Sequence, residues 1–446
     1  MGKGSELLTE GVIWRRILVF SIPLIVGNLF QQLYNTVDTL VIGNFLGGNA
    51  LAAVGAGTVV IHLMLSLFTG LATGASVVIA QCFGAGDRRM VRRAVHTSAA
   101  FTLLFGVLMT IVGVGFSGPM LRWIDTPDIV LRDARVYLQI YFSGIIPLMI
   151  YNMGAGVLRA VGDSRTPLYY LAFAAVLNTV LDVLFVAAFG MGVEGVAVAT
   201  LIAQIAAAVL IVLKMQRTTE VYRLRLRNMR LEPRILLRIL KVGVPAGLQQ
   251  MTMGLSNLVV QSTVNGFGTT AMAAWNVYNK IDTIAILPVI SFGLAMMTFT
   301  GQNVGAGLRD RVYEGTRTGL KMSCGFAVVI SILFCLFGVR VFALFSADPE
   351  ILEYGRRMIY GVAPFYFLVA LMYSYSGVIN GAGHSLPTMI IMLSSLCVAR
   401  IAFLWLMKPF IPDIHIVFFA YIVSWALCSF GLAVYYKKGA WRKELQ

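Results

Sequence analysis

Charge is what this sequence has least of. Only 12% of its 446 residues are Asp, Glu, Lys or Arg, about half the ~25% usage of a soluble domain. Hydrophobic residues make up 58% and the mean hydropathy is +0.82, so there is too little charge to wet a soluble surface. Cysteine is also sparse. Cys82, Cys324, Cys335, Cys397 and Cys428 are odd in number and scattered, with no C-x-x-C, which argues against a disulfide framework and a zinc site. The four histidines are dispersed, so no metal cluster is visible. Acidic residues are outnumbered 20 to 35 by basic ones, a net charge of +15. That excess could suit nucleic acid, but the basic residues sit in short clusters between apolar segments and form no single face, so no nucleic-acid partner is expected.

What the sequence does have is long uncharged runs. Residues 39–86, 94–121, 136–158, 195–213, 242–279, 283–308, 358–399 and 414–436 contain no Asp, Glu, Lys or Arg, and a bilayer crossing takes about 20 apolar residues. Gaps, Gly/Pro punctuation and charge clusters together predict twelve membrane helices. They fall near 14–43, 50–82, 94–118, 131–158, 166–189, 194–216, 235–264, 271–304, 314–342, 352–381, 385–408 and 414–437. The run from Ile17 to Val37 is too long for a signal-peptide core and lacks an A-x-A exit, so it reads as the first span. With Met1 inside, most basic residues share its side: Lys3, Arg15 and Arg16, the Arg88–Arg93 cluster, the rich stretch from Lys214 to Lys241, the Arg309–Lys321 cluster and Lys437 to Lys443. The opposite side has only Arg122, Arg132, Arg135, Arg340, Arg356, Arg357 and Lys408. The positive-inside rule then puts both termini in the cytoplasm of a multi-pass plasma-membrane protein.

The two halves read alike at a shift of about 221 residues. Ile22-Pro23 matches Val244-Pro245, and Asn35 matches Asn257. Gln81-Cys82-Phe83-Gly84-Ala85-Gly86 matches Gln302-Asn303-Val304-Gly305-Ala306-Gly307. Gly156-Val157-Leu158-Arg159-Ala160-Val161-Gly162 matches Gly377-Val378-Ile379-Asn380-Gly381-Ala382-Gly383, and Pro167 and Pro387 follow. An even number of spans per half gives both halves the same orientation. The expected fold is all-α and integral to the membrane: two six-helix bundles related by a pseudo-two-fold axis along the membrane normal. The lobes are residues 1–216 and 235–446, joined by a cytoplasmic linker at 217–234. Such duplications surround a site that opens alternately to either side.

These residues resemble the multidrug and toxic compound extrusion (MATE) family. The resemblance rests on the paired Q-x-x-G-A-G loops, the G-V-L-R-A-x-G-D-S-R-T-P stretch ending at Pro167, and its partner ending Gly383-His384-Ser385. It covers the chain from about Ile17 to Tyr436. It implies two six-helix lobes forming a V and export driven by sodium ions or protons.

Five formally charged residues lie well inside spans: Asp38, Asp182, Lys280, Asp282 and Arg400. Intramembrane charge is costly, so each is a functional candidate. In the first span Asn28, Gln31, Asn35 and Asp38 recur at intervals of three, four and three, one polar stripe on an apolar helix. Asn178 and Asp182 share a face of the fifth span, and Thr200 adds a hydroxyl in the sixth. Carboxylate, amide and hydroxyl oxygens suit a hard cation such as Na+. Two close carboxylates in a low dielectric would instead hold a proton, and a hydrogen-bonded network joining helices would use the same residues. The resemblance implies the same cation site at Asp38, Asn178, Asp182 and Thr200, with Tyr137 and Asn152 as weaker carry-overs. Another branch of the family uses a Glu in the seventh span and an Asp in the tenth. Here the seventh span offers Gln249, Gln250, Asn257 and Gln261, and the tenth has no carboxylate beyond its outer end. Lys280, Asp282 and Arg400 read as a buried ion-pair cluster or as transport residues.

The expected function is a secondary antiporter exporting amphipathic, often cationic compounds in exchange for Na+ or H+. Gln31, Asn35, Tyr137, Asn152, Gln249, Asn257, Lys280 and Asp282 are the substrate-cavity candidates. Met-rich and aromatic walls (21 Met, 27 Phe, 17 Tyr, 6 Trp) can re-pack around varied organic cations, although most such residues face lipid or the core. The G-A-G loops lack the P-loop lysine, so neither nucleotide nor other cofactor is called for. A flippase for lipid-linked sugars would want an Arg-rich cavity, and a membrane enzyme would want clustered His, Glu or nucleophile motifs. Neither pattern is visible, and the chain is expected to act as a monomer in the lipid bilayer on small-molecule substrates, not as an enzyme.

Overall fold

Helix is the only regular structure in the described residues, 7–346 and 348–444, of the computed structural model. Lys3, counted above for orientation, lies outside them, as does the side chain of Lys443. The first half runs α1 (Ile13–Val41), α2 (Gly47–Gly84), α3 (Arg88–Trp123), α4 (Asp128–Ser143), α5 (Ile145–Ala160), α6 (Arg165–Val183) and α7 (Val193–Arg217). The second half runs α8 (Pro233–Asn265), α9 (Thr269–Gly305), α10 (Arg309–Ala343), α11 (Pro349–Val362), α12 (Tyr366–Gly381), α13 (Ser385–Met392), α14 (Arg400–Met407), α15 (His415–Lys438) and the short α16 (Trp441–Glu444).

Nine helical stretches among the described residues are long and apolar enough to cross a membrane, or ten if α4 and α5, bent by 49°, form one span. One stretch, Ile13–Gly84, has 72 residues. At 1.5 Å per residue it would measure about 108 Å, more than three times a ~30 Å hydrocarbon core. It is two crossings, because Gly47 at φ 83° and ψ −176° turns the chain between α1 and α2. Arg234, Arg238, Lys241 and a run of Gln, Thr, Ser and Asn keep α8 below the apolar threshold, yet its 33 residues are ample for a crossing. Among the described residues the total is twelve spans. The fourth breaks at Gly144, where an added Cβ would lie 2.3 Å from Leu201 Cδ1. The tenth is likewise divided, at Ala363–Phe365.

The repeat is visible in the backbone. Left-handed glycines come in pairs at equivalent places: Gly47 and Gly268 (φ 83° and 96°), Gly86 and Gly307 (both 70°), Gly162 and Gly383 (93° and 95°). Glycine tolerates φ > 0 without a Cβ clash, so each half spends glycine at the same three turns. Close helix packing repeats too. Ser76 on α2 donates to Gly156 C=O on α5 at 2.6 Å, and in the second half a Cβ on Gly377 of α12 would meet Gly293 O of α9 at 2.2 Å. Small residues at such crossings let backbones approach, the usual way of packing helices in lipid.

Contacts divide the chain into two compact units. Among the described residues, one holds Leu7 with Ile22–Val244, and the other Leu8–Ser21 with residues 245–444. The boundaries fall beside Pro23 and at Pro245, prolines inside α1 and α8. In the second unit Gln302 of the second G-A-G motif holds the segment before α1: its Oε1 accepts from Leu8 N–H at 2.9 Å. In the first unit Asp163 caps α6, accepting from Thr166 N–H at 3.0 Å and from the Thr166 hydroxyl at 2.6 Å. The motif residues Gly156, Asp163 and Gln302 thus have packing and capping roles.

Candidate cation site

The first unit brings the four residues of the predicted cation site together. Asn178 and Asp182, one helical turn apart on α6, are fully buried, and Thr200 on α7 is nearly so (4% exposed). Asp38, three residues from the end of α1, is half-buried. With its amide nitrogen turned to the carboxylates, Asn178 donates to Asp38 Oδ1 at 2.8 Å and to Asp182 Oδ2 at 3.1 Å, and its oxygen accepts from the Thr200 backbone N–H at 3.2 Å. One amide therefore ties α1, α6 and α7. Asp182 Oδ1 is buried and receives no hydrogen bond. The two carboxyl groups lie within hydrogen-bonding reach of each other. Two carboxylates this close repel unless a proton or cation neutralises one.

Of the surrounding tyrosines the sequence points only to Tyr137; Tyr34 and Tyr141 escape sequence reasoning. Tyr34 on α1 donates to Thr200 Oγ1 at 3.4 Å. The Tyr137 ring on α4 lies tilted at 36° to that of Tyr141 with centroids 6.3 Å apart, and both sit within electrostatic reach of Asp38. Gly57 on α2 leaves space for Tyr137: an added Cβ would lie 2.9 Å from its ring. The 137/141 spacing on one helix face was the available signal. Two π-helical turns were equally hidden. One, Ile42–Leu46, begins four residues after Asp38, and the other, Leu184–Ala188, two residues after Asp182. Ile42 and Val186 from these turns pack in one small apolar cluster. A third turn, Leu393–Ala399, ends immediately before Arg400. Single π turns are uncommon and concentrate at functional sites.

Gln31 and Asn35, by contrast, are exposed on α1. Asn152 is turned onto its own helix, donating to Leu148 C=O at 2.9 Å. Gln249 is buried on α8, its Nε2 3.5 Å from Ser376 Oγ and its Oε1 without a hydrogen bond. Asn257 is exposed and accepts from the Tyr421 hydroxyl at 3.4 Å. Lys280 is exposed, so the expected ion-pair cluster of Lys280, Asp282 and Arg400 is corrected. Asp282 accepts from the Tyr278 hydroxyl at 3.0 Å and from the Tyr366 hydroxyl. Arg400 donates to Ser424 Oγ at 2.9 and 2.8 Å and to Ser256 Oγ at 2.9 Å, and lies 4.2 Å over the Tyr421 ring. Hydroxyls and an aromatic face satisfy these charges, which counting charges alone could not reveal.

The MatE family profile matches the chain twice, over residues 23–184 and 245–406. These two matches cover most of both halves and mark them as copies of one unit. Membrane-spanning helices, an internal duplication and polar groups buried within each copy define a transporter class of architecture. The chain belongs to the MATE family of multidrug efflux transporters. It is 31% identical to the "Probable multidrug resistance protein YpnP" of Bacillus subtilis (strain 168) over 441 residues, 97% of each chain. It is 25% identical to the "FAD transporter" of Shewanella oneidensis over 79% of this chain and 78% of that one. Its fold matches the structure titled "Outward-facing conformation of a multidrug resistance MATE family transporter of the MOP superfamily" with a TM-score of 0.91 at 23% identity, covering 98% of this chain and all of the other. Members of this family are membrane transporters of small molecules.

Proposed function

We propose that the protein is an antiporter that exports amphipathic, often cationic organic compounds by alternating access in exchange for Na+ or H+, and that Asp38, Asn178, Asp182 and Thr200 bind the coupling ion. The observation that carries this reading is the single amide of Asn178 spanning two intramembrane carboxylates, with the bare Asp182 Oδ1 beside it. Two carboxylates, an amide and a hydroxyl offer hard oxygen donors suited to a small monovalent cation, and the same pair can share one proton. Neutralisation removes the repulsion between α1 and α6. The π turns next to each carboxylate then provide the compliant backbone through which α1 bends or shifts. An ion can bias the facing state only by binding one state better than the other.

Substrate contact is assigned to Gln31, Asn35, Tyr137 and Asn152 in the first unit and to Gln249, Asn257, Lys280 and Asp282 in the second; Gln31, Asn35, Asn257 and Lys280 are exposed. An organic cation is favoured over an anionic dinucleotide, because the α1 stripe from Asn28 to Asp38 offers amides and a carboxylate and no Lys or Arg. The protein is proposed to act as a monomer in the plasma membrane, with both termini in the cytoplasm. In proteoliposomes, efflux of a fluorescent organic cation should follow an imposed gradient of either Na+ or pH. Asp38→Asn and Asp182→Asn should each abolish that coupling while leaving the thermal unfolding midpoint within a few degrees. Undiminished gradient-driven transport by both variants would defeat the assignment.

A further inference from the structure

The linker after α7 has a chemistry of its own. Between Tyr222 and Arg225 its side chains alternate: Tyr222 and Leu224 are buried in the first unit's core, and Arg223 and Arg225 are directed outward. That period of two belongs to extended chain laid on a surface. The segment is pinned along its length. Leu224 N–H donates to Met215 C=O at 2.9 Å, and Arg225 N–H donates to His96 Nε2 at 3.1 Å. His96 Nδ1 lies 2.6 Å from Arg92 C=O. A carbonyl only accepts, so Nδ1 carries the proton and Nε2 is the acceptor. The buried, neutral ring therefore joins the backbone of Arg92 on α3 to that of Arg225 in the linker.

Arg92 and Arg225, with Arg93, Arg223 and Arg230, line one cavity of about 260 Å³ that Glu220, itself engaged in a polar contact, and Glu232 also line. One glutamate, Glu232, is spent: Arg93 grips it through two guanidinium nitrogens. Arg223 Nε donates to Gln216 C=O at 3.0 Å. Arg92, Arg225 and Arg230 have no carboxylate in ion-pair contact among the described residues. The cavity is smaller than the roughly 300–1,000 Å³ pockets that hold drug-sized ligands, so it suits a compact anion better than a transported compound. Beside it, Leu226 and Leu231 stand 56% and 41% exposed. Guanidinium groups around a small basin, flanked by bare leucines on a membrane protein, match an anionic headgroup with acyl chains next to it.

We propose that this basin binds the phosphate headgroup of an anionic phospholipid from the leaflet it faces, which the orientation proposed above makes the cytoplasmic one. His96 acts as a positioning residue that sets the separation of Arg92 and Arg225. Lipid binding at this basin does not depend on which ion drives export. The test uses the full-length protein in phosphatidylcholine nanodiscs or neutral detergent, with bound phosphatidylglycerol counted by native mass spectrometry. The double variant Arg92→Gln/Arg225→Gln should weaken phosphatidylglycerol binding by about tenfold or more, given the attraction each arginine contributes near an anionic lipid. Lys437→Gln/Lys438→Gln, in a separate basic cluster, should leave it unchanged. If the double variant folds poorly, Arg230→Gln alone gives the same readout with a smaller loss. Inorganic phosphate at equal concentration should not displace the lipid. Undiminished binding by the Arg variants, an equal loss in the Lys variant, or full displacement by free phosphate would each overturn the proposal.

Discussion

At the scale of single residues, the molecule uses two ways of keeping charge inside a membrane. Asp38 and Asp182 are bridged by one amide, which leaves an oxygen bare. Arg400 donates from each of its three guanidinium nitrogens to one of two serines and lies over an aromatic ring. The first arrangement leaves an acceptor for the proposed coupling ion, and the second leaves no guanidinium nitrogen without a hydrogen bond. Arg400→Lys should therefore be costly without touching coupling. An ammonium cannot keep the guanidinium's fork on Ser424 while also reaching Ser256, and charge-assisted hydrogen bonds contribute about 1.5–3 kcal/mol each. A thermal unfolding midpoint several degrees lower, with residual transport still driven by the gradient, is the expected result. Gly57→Ala should do the reverse: a Cβ 2.9 Å from Tyr137 displaces that ring beside the proposed cation site, so ion affinity should fall more than stability. Periodicity makes Asp38 and the Asn178/Asp182 pair legible in the sequence alone, because a polar stripe stands out on apolar helices, whereas Thr200 joins them only through the family resemblance. Tyr34 and Tyr141 do not stand out, since a tyrosine in a membrane helix looks like any lipid-facing or core aromatic until its neighbours are known.

At the scale of elements, glycine and the π turns shape the helices. Helix number and the repeat are legible in charge gaps and paired motifs. The π turns beside Asp38, Asp182 and Arg400 are not, because they depend on which backbone carbonyl each N–H selects and leave no compositional trace. The ion-pair expectation for Lys280, Asp282 and Arg400 failed for a related reason: hydroxyl donors and acceptors are invisible to a count of formal charge. Gly377→Ala tests the packing argument. Its Cβ would sit 2.2 Å from Gly293 O, and forced overpacking costs about 1–3 kcal/mol, so the variant should unfold at lower temperature in detergent. The linker's attachment to α3 is expected to depend on pH. The Arg93 guanidinium holds the Glu232 carboxyl below its ordinary value. The contact thus stabilises fully above the usual carboxylate range near pH ~4 and is lost as pH falls through the lowered value. Limited proteolysis of the linker should accelerate below about pH 4 and, because the pair is partly exposed, also in high salt.

At the scale of the whole molecule, family membership establishes a membrane transporter of small molecules, and the proposed function adds a direction and a driving ion. Orientation is tested by protease access: trypsin should cut the arginine-rich linker in inside-out vesicles and spare it in right-side-out ones. Coupling is reciprocal, so if an ion weakens substrate binding, substrate must weaken ion binding by the same factor. The most direct measurement of the central claim is therefore ion release on substrate addition to purified, ion-loaded protein, read as protons in weak buffer or as radioactive sodium. The account predicts about one ion released per protein by the unaltered chain and none by Asp182→Asn. Equal release by both, or substrate bound tightly with no ion displaced from either, would contradict it.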